Sequence, residues 1–417
     1  MNSLSAAKAS EPSCTTAVKY SSWRKVTSLF IDLSKLVVRF FCISIVRVVG
    51  HSGWRPPLPR SEFLLLDLHP RIITLGTAGG PRWWPAVPGQ APRQGIATAV
   101  VVGDALYLVD CGRGAGSQYA RAGLALDRLR GVFLTHLHSD HTVDLPALLL
   151  FGWMTSDRRQ GRPVRIIGPG DRGALPPTNA NAASAVLALF PDTPTAGTTK
   201  MIEHLLRAYS ADTADRMFDS LRPSPYTVFS TEDVSLPEGI GYDPNTNPSP
   251  AGMAPFEVYR DELVTVTATL VQHPPVAPAF AFRFDTAEGS VTISGDTAPC
   301  QNLITLATGT DLLLHEAIDF DWAANAYAEA DEATRAATLE HHRKSHTSPA
   351  QAGALAREAG VQTLALHHLV PGDGLATAFE AAQDTFGGSV LIPDDLDVIS
   401  FARRAEPALT GANVDNH

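Results

Sequence analysis

The sequence is poor in cysteine, in charge and in uninterrupted apolar stretches, and each shortage excludes a class of protein. Four cysteines occur among 417 residues, at irregular spacing and without a CxxC pair. A disulfide framework is therefore not expected, and a reducing compartment is the default. Charged residues make up only 18% of the chain and the formal net charge is −10, so no global basic field is present to attract nucleic acid.

The longest apolar stretch, residues 28–49, is interrupted by four charges, at Asp32, Lys35, Arg39 and Arg47. A membrane-spanning helix needs about 20 apolar residues with few charges, so this segment is a poor candidate. We predict that residues 1–70 form an N-terminal extension that is amphipathic or disordered, and that residues 403–417 form a C-terminal tail. The expected location is the cytoplasm, with membrane association or export through residues 28–49 as the alternative.

Residues 71–402 carry the pattern of an α/β domain. Short β-branched runs bounded by glycine predict strands, beginning with a strand at RIITLG and a hairpin at ATAVVVGDALYLVD. Later strands alternate with Ala-rich and Leu-rich helical stretches. This order predicts two sheets flanked by helices, an αββα sandwich. Residues 171–255 differ in composition and hold a helical pattern at 202–221, which predicts an inserted, partly helical, lid-like segment.

One motif carries most of the chemical information. His136-Leu137-His138-Ser139-Asp140-His141 directly follows an apolar strand and puts four metal-capable side chains within six residues. Imidazole and carboxylate are the ligands of zinc and of related first-row metals. The crowding of these groups is explained if positive charge compensates it, so the motif predicts a metal site.

The chain resembles the metallo-β-lactamase superfamily, and most closely the branch that holds tRNase Z and the arylsulfatase-like and phosphodiesterase-like hydrolases. The resemblance spans roughly residues 71–402. It rests on five stretches in order, namely GTAGG at 76–80, LVDCG at 108–112, HLHSDH at 136–141, SGDT at 294–297 and LHHLVPG at 366–372.

The resemblance implies two metal ions, with zinc expected and manganese or iron as alternatives. His136, His138 and His273 would hold the first ion. Asp140, His141 and His368 would hold the second, and Asp296 would bridge both. The third histidine of the first ion follows from the family, where a histidine ends a strand about 20 residues before the bridging aspartate. His273 fits that description, and His204 competes from within the inserted segment.

The resemblance also suggests catalytic residues. Asp140 at the metals, Glu316 in LLLHEA and His346 in KSHTS are the candidates, because tRNase Z-like enzymes carry similar HEA and HST segments. In that branch the last histidine touches the anionic group of the substrate and donates a proton. Capping of the following helix is the other interpretation of His346, and orientation of a neighbour is the other interpretation of Glu316. Asp110 is either an orienter of a ligand histidine or a structural loop residue.

The preferred function is a dinuclear hydrolase in which a metal-bound hydroxide attacks an anionic ester, such as an aryl sulfate or a phosphodiester-like small molecule. A lactonase or carboxylic-ester hydrolase and a tRNase Z-like endoribonuclease are alternatives. A di-iron redox protein or a degenerate binding protein is the alternative from another class. The tRNase Z alternative is disfavoured because only 23 residues separate His273 from Asp296, too few for the long arm of those enzymes. A small-molecule ester partner is expected, nucleic acid is not, and a homodimer is implied by the resemblance.

Overall fold

The computed structural model describes residues 69–402, except for residues 88, 90, 157–161, 181, 183, 185 and 375. The apolar segment 28–49, most of the predicted N-terminal extension and the predicted tail lie outside the described residues. Within the described part of the chain, no helix is long and apolar enough to cross a membrane.

The first sheet contains seven strands of the described chain. They are β1 (Arg71–Gly76), β2 (Ala97–Val102), β3 (Ala105–Val109), β4 (Leu129–Phe133), β5 (Val164–Pro169), β6 (Phe229–Val234) and β14 (Val398–Ser400). They lie in the order β14-β1-β2-β3-β4-β5-β6. The predicted hairpin of β2 and β3 turns at Gly103, whose φ of 55° suits glycine. From β3 to β6 the strands are parallel, and β6 lies inside the segment predicted to be inserted.

The second sheet also contains seven strands of the described chain. They are β7 (Phe256–Arg260), β8 (Thr265–Leu270), β9 (Phe280–Asp285), β10 (Ser290–Ile293), β11 (Leu312–Ile318), β12 (Thr363–Val370) and β13 (Ser389–Leu391). They lie side by side in chain order, with β12 and β13 at the far end from β7. The first four strands are antiparallel, and β10 to β13 are parallel.

The described α-helices connect these strands and cover the outer faces of both sheets. They are α1 (Ala115–Arg121), α2 (Ser139–Thr142), α3 (Leu145–Thr155), α4 (Thr198–Ala208), α5 (Ser210–Phe218), α6 (Gln301–Ala307), α7 (Phe320–Ala326), α8 (Glu332–Ser345), α9 (Pro349–Ala359) and α10 (Ala381–Phe386). The helical pattern at 202–221 forms two helices, α4 and α5, because the backbone leaves helical geometry at Tyr209. Helix α9 begins with a Ser348–Gln351 capping box and ends at Gly360 in the left-handed conformation.

Three apolar layers hold the sandwich together and confirm the predicted αββα fold. Between the sheets, Phe133 of β4 packs edge-on against Phe282 and Phe284 of β9, with ring centroids 5.6 and 5.2 Å apart. A second core lies between the first sheet and helices that include α1 and α3. A third lies between the second sheet and helices α6, α9 and α10. Each sheet therefore buries both faces, which explains its near-continuous apolar strands.

The sheet topology determines where polar residues gather. In both sheets the parallel strands β4, β10, β11 and β12 end at the same edge of the sandwich. The polar residues singled out in the sequence follow β4 and β10, and they lie near the carboxyl ends within β11 and β12. Because carboxyl ends of parallel strands meet at one edge, residues 136–141, 296, 316 and 368 are brought together although more than two hundred positions separate the first from the last.

Candidate metal centre

The HLHSDH motif forms the loop that joins β4 to the short helix α2. His138 precedes the first helical residue, and the turn that follows directs Asp140 and His141 to the interior. His136, Asp140 and His141 are buried, as expected when a strand leads from the core into a binding loop. The local sequence therefore places all four polar side chains at one edge of the sandwich.

Three histidines form the first group of the centre. The Nε2 atom of His136 lies 3.0 Å from Nδ1 of His138, and Nε2 of His273 lies 3.2 Å from the same atom. Burial lowers the pKa of both His136 and His273, which keeps these imidazoles neutral and able to ligate. The Nδ1 of His273 donates to the carbonyl oxygen of Ser345 at 2.8 Å and so directs Nε2 to the centre.

The second group contains two histidines and two carboxylates. The Nε2 atoms of His141 and His368 are 3.2 Å apart. Oδ2 of Asp140 lies 3.3 Å from Nε2 of His368, and Oδ1 of Asp296 lies 3.4 Å from Nε2 of His141 and 3.3 Å from that of His368. The Oδ2 of Asp296 lies 4.0 Å from Nε2 of His136, so this carboxylate stands between the two groups.

The donor set fits divalent metal ions. The ring nitrogens of both groups converge on one another, an arrangement that imidazoles without an ion do not favour. Oδ1 of Asp296 is buried and accepts no hydrogen bond, although the Nε2 atoms of His141 and His368 lie within 3.4 Å of it. Two clusters of this set, His136–His138–His273 and Asp140–His141–Asp296–His368, can each hold a metal ion. The structure brings together all seven predicted ligands, and their individual assignment stays a prediction.

Asp110 orients one of these histidines, an alternative that the sequence left open. Its Oδ2 accepts a hydrogen bond of 2.8 Å from Nδ1 of His141, and the backbone N–H of Thr135 donates to its Oδ1 at 2.8 Å. Asp110 has a φ of 59°, a left-handed conformation that is costly for a residue with a side chain. Such strain at a buried carboxylate that contacts a candidate ligand is typical of a functional position.

We expect Asp110→Asn to weaken metal binding about 10- to 100-fold, because the amide cannot hold the His141 tautomer as the carboxylate does. The measurement is a competition titration with a chromophoric chelator. Asp127→Asn, at an exposed position, is the matched control and should bind metal as the wild type does. Unchanged affinity in Asp110→Asn would leave Asp110 with a structural loop role.

The loop after β1 closes the centre from the other side. A Cβ atom added to Gly79 would lie 2.4 Å from Nδ1 of His368, so only glycine allows this approach. The backbone N–H of Gly80 donates to Oδ2 of Asp140 at 3.0 Å. His368 itself has a φ of 48°. The GTAGG stretch therefore holds both Asp140 and His368 in position. These contacts explain the glycines, which the sequence alone indicated only as a turn.

His346 and Glu316 form a buried pair beside Asp296. Nδ1 of His346 lies 3.0 Å from each carboxylate oxygen of Glu316 and 3.9 Å from Oδ2 of Asp296. Burial by itself would lower the pKa of His346, but the charge and hydrogen bonds of Glu316 outweigh it and raise the pKa to about 9. Glu316 thus contacts His346 and the backbone N–H of Thr297, and it lies behind the centre rather than in it.

An open cavity of about 360 Å³ lies over the metal centre. Its wall includes Arg82, whose guanidinium lies 5.7, 5.3 and 5.7 Å from the ring centroids of Trp84, Trp322 and Tyr327. Trp84 is buried, whereas Trp83 is 89% exposed and lines a neighbouring cavity of about 240 Å³ that shares Arg82, Trp84 and Asp140 with the first. Trp322 of helix α7 and Tyr327 directly after it were not predicted from the sequence, because they are remote in the chain from Arg82 and Trp84.

The other residues considered from the sequence lie away from the centre. His204 is exposed on α4 and joins none of the clusters found in the described chain. Several large apolar side chains of the inserted segment are solvent-accessible and do not line the cavity, including Tyr209, Met217, Phe218 and Tyr226. Whether residues 171–255 act as a lid stays a prediction.

Two facing sheets with a cluster of histidines and aspartates at one edge define a metal-dependent hydrolase. The protein-family model described as "Metallo-beta-lactamase superfamily" matches residues 91–333. The chain belongs to the metallo-β-lactamase superfamily, as the resemblance implied.

Sequence relatives indicate the branch. Ribonuclease Z of Mycobacterium sp. (strain KMS) is 32% identical over 302 residues, which cover 72% of this chain and 84% of that protein. Ribonuclease Z of Mycobacterium bovis (strain BCG / Pasteur 1173P2) is 30% identical over 307 residues, which cover 73% of this chain and 91% of that protein. The structure of human tRNase Z, short form, matches 80% of this chain and 100% of its own length with a TM-score of 0.51 and 20% identity, which shows the shared fold. The predicted tRNase Z-like branch is confirmed.

These relatives correct one expectation and weaken another. The expectation that nucleic acid is not a partner is wrong, because the relatives that match most of this chain are named Ribonuclease Z. The net charge of −10 describes the far field of the whole molecule, whereas binding of a phosphate at a site depends on the cations close to it. The aryl sulfate hypothesis receives no support from these relatives.

Proposed function

We propose that this chain is a ribonuclease Z-like endoribonuclease that hydrolyses a phosphodiester bond in precursor tRNA. The observation that carries the proposal is the complete set of seven convergent histidine and aspartate side chains in a chain that covers 84% of a relative named Ribonuclease Z. The same set would serve any phosphodiester, so the RNA substrate is inferred from the relatives and the chemistry from the site.

The proposed metal sites follow the two clusters. His136, His138 and His273 would hold one ion, and Asp140, His141 and His368 the other, with Asp296 shared. Zinc is the proposed metal because the set is rich in imidazole, which suits zinc well. When bound, two ions in such a site lower the pKa of water and neutralise charge on the phosphate.

The residues of the chain itself supply position and protons. Glu316 holds the His346 ring through Nδ1, which leaves Nε2 of His346 free. His346 also lines the cavity, so a phosphate at the centre can meet that nitrogen. We assign His346 to contact the phosphate and to give a proton to the leaving oxygen, and Glu316 to hold the protonated ring in place.

Recognition of RNA is assigned to the cavity rim. Only strands β9 and β10 lie between His273 and Asp296, which leaves no room there for the long arm of the tRNase Z enzymes. RNA binding therefore cannot depend on an arm at that point. Arg82 has no carboxylate partner in the described part of the chain and keeps guanidinium N–H groups for a phosphate. The neighbouring Trp83 offers an exposed ring on which a nucleobase can stack.

The test compares three substrates with the same zinc-loaded protein. A precursor tRNA with a 3′ extension would be followed on denaturing gels, beside bis(p-nitrophenyl) phosphate and p-nitrophenyl sulfate. Site-specific cleavage of the precursor at the highest kcat/KM supports the proposal. Efficient turnover of the sulfate or of the small diester, with an intact precursor, would instead support a small-molecule hydrolase.

We expect Trp83→Ala to raise KM for precursor tRNA about 5- to 100-fold, since stacking of one base contributes about 1–3 kcal/mol. Hydrolysis of bis(p-nitrophenyl) phosphate should not change, because this small diester reaches the metals without the rim. Trp83→Phe is the matched control, and it should recover most of the affinity by keeping an aromatic face. An equal loss on both substrates would argue for a structural role of Trp83.

A further inference from the structure

The last turn of α8 carries a second group of histidines. His341 and His342 lie in this turn, and His346 follows the helix in extended conformation. Their ring centroids form a nearly equilateral triangle with sides of 5.7, 5.9 and 5.8 Å. One ring nitrogen from each histidine lies within 4.8 Å of the other two. The helix end therefore presents three imidazoles that face a common point.

The group can be compared with the histidines of the main centre in the same structure. The rings of His136, His138 and His273 form a triangle with sides of 4.8, 5.1 and 4.6 Å. The triangle at the end of α8 is wider but has the same shape. It also lines the cavity over the centre, so an ion from solvent can reach it.

His342 needs a partner that the described protein does not supply. Both of its ring nitrogens are buried and neither makes a hydrogen bond. A neutral imidazole carries one N–H and one lone pair, and leaving such groups buried and unpaired costs about 1–3 kcal/mol. Tyr327 stacks near the ring at 6.1 Å between centroids but offers it no polar contact. A cation would satisfy the lone pair.

His346 is already held in the orientation of a ligand. Its Nδ1 is bound to the Glu316 carboxylate, which leaves Nε2 for an ion. A carboxylate behind a metal-bound histidine is a frequent arrangement, because it fixes the ring and makes the nitrogen more basic. On His341, Nδ1 lies 3.5 Å from the Ser345 hydroxyl, so its Nε2 is likewise available.

We propose that His341, His342 and His346 form a third divalent-metal site, and that occupation of this site inhibits the enzyme. Three imidazoles with one open position are a donor set that Zn²⁺ accepts. The absence of a carboxylate from the set makes it weaker than the main centre. Inhibition follows because the ion would occupy the nitrogen assigned above to the proton transfer, and this second part rests on the proposed function.

The experiment starts from full-length protein loaded with two equivalents of zinc. Further zinc is added in a calorimeter, and Co²⁺ absorption spectra provide a second measure of binding. Precursor tRNA cleavage and bis(p-nitrophenyl) phosphate hydrolysis are followed at each zinc concentration. The variants are His341→Gln, His342→Gln and the double variant, with His204→Gln as the matched surface control and thermal melting to verify folding.

The wild type and His204→Gln are expected to bind a third equivalent, more weakly than the first two. As the third site fills with zinc, the rate of RNA cleavage should fall about 100-fold, which is within the range that general acid catalysis contributes. Hydrolysis of bis(p-nitrophenyl) phosphate should fall less, because p-nitrophenolate leaves without a proton. The double variant should lose both the third equivalent and the inhibition, with the inhibition measured relative to its own activity at two equivalents, and each single variant should weaken both.

Several results would overturn the inference. No third equivalent in the wild type, or an equal third equivalent in the folded double variant, removes the site. A third equivalent that leaves RNA cleavage unchanged removes the inhibition. If the wild type cleaves no RNA at any zinc concentration, the proposed function and the inhibition fail together, whereas calorimetry still decides whether the site exists.

Discussion

Asp296→Ala is expected to lower kcat on precursor tRNA, the proposed substrate, by about 10³-fold and to reduce the bound metal from the proposed two ions per chain to one or fewer. The physical reason is the position of Asp296 between the two clusters, where one carboxylate faces His141, His368 and His136. Metal-based charge stabilisation contributes several kcal/mol, and about 4 kcal/mol corresponds to about 10³ in rate.

Metal content by elemental analysis and kcat from cleavage under multiple-turnover conditions measure this prediction. Asp127→Ala, which removes an exposed carboxylate, is the matched control and should keep full metal and full activity. Thermal melting of both variants separates loss of the site from loss of the fold. Two firmly bound metals and normal turnover in folded Asp296→Ala would contradict the bridging assignment.

The second large effect concerns stability rather than catalysis. Asp261→Ala is expected to lower the free energy of unfolding by about 3–5 kcal/mol, because it removes a buried acceptor and an ion-pair partner together. Oδ2 of Asp261 accepts hydrogen bonds from the hydroxyls of Tyr107 at 2.7 Å and Tyr259 at 3.0 Å, and from Arg130 at 3.0 Å. Both tyrosines are buried and only 10% of the Asp261 side chain is exposed, so water has limited access to the position of the lost acceptor.

The same carboxylate gives the stability difference a pH dependence. Burial by itself would raise the pKa of Asp261, but hydrogen bonds from Tyr107, Leu263 and Arg130 outweigh it and hold the pKa below its ordinary value. The stabilisation is therefore present above the unfolded-state pKa of about 3.9 and is lost as the pH falls through the lower folded-state value.

Urea unfolding of the wild type and Asp261→Ala at neutral pH and near pH 3 measures both parts of this prediction. The difference between the two proteins should be large at neutral pH and smaller in acid. Asp104→Ala serves as the control, since it breaks an exposed ion pair with Arg128 that contributes less than about 1 kcal/mol. A difference between Asp261→Ala and wild type that does not depend on pH would contradict the role of the charged carboxylate.

Local pattern predicted most strands well and the helices less well. Strands such as β1 and the β2–β3 hairpin are continuous apolar runs between glycine turns, so their positions follow from nearest neighbours. The helical pattern at 202–221 predicted an inserted helical segment, and it forms two helices, α4 and α5. The break at Tyr209, where the backbone leaves helical geometry, is not marked by a glycine or a proline in the sequence.

The candidate site divides in the same way. The HLHSDH motif lies within six consecutive residues, so the end of a single strand is enough to bring its four polar side chains together. His273, Asp296 and His368 came from the family resemblance, since spacing in the sequence does not show that three strand ends meet. The contacts of Asp110 and Gly79 with the histidines, and the triangle at His341 and His342, became visible only in three dimensions.

The sequence by itself determined the αββα class, the metal-binding motif and the family, because periodicity, turn residues and closely spaced ligands are properties of short segments. It misled about nucleic acid, because net charge sums over the chain and says nothing of the cations at one cavity. The tertiary structure decided which histidines converge, what orients them, and that Arg82 lines the cavity over the centre with Trp83 in the neighbouring cavity. Those facts depend on parallel strands from distant parts of the chain ending at one edge of the sandwich.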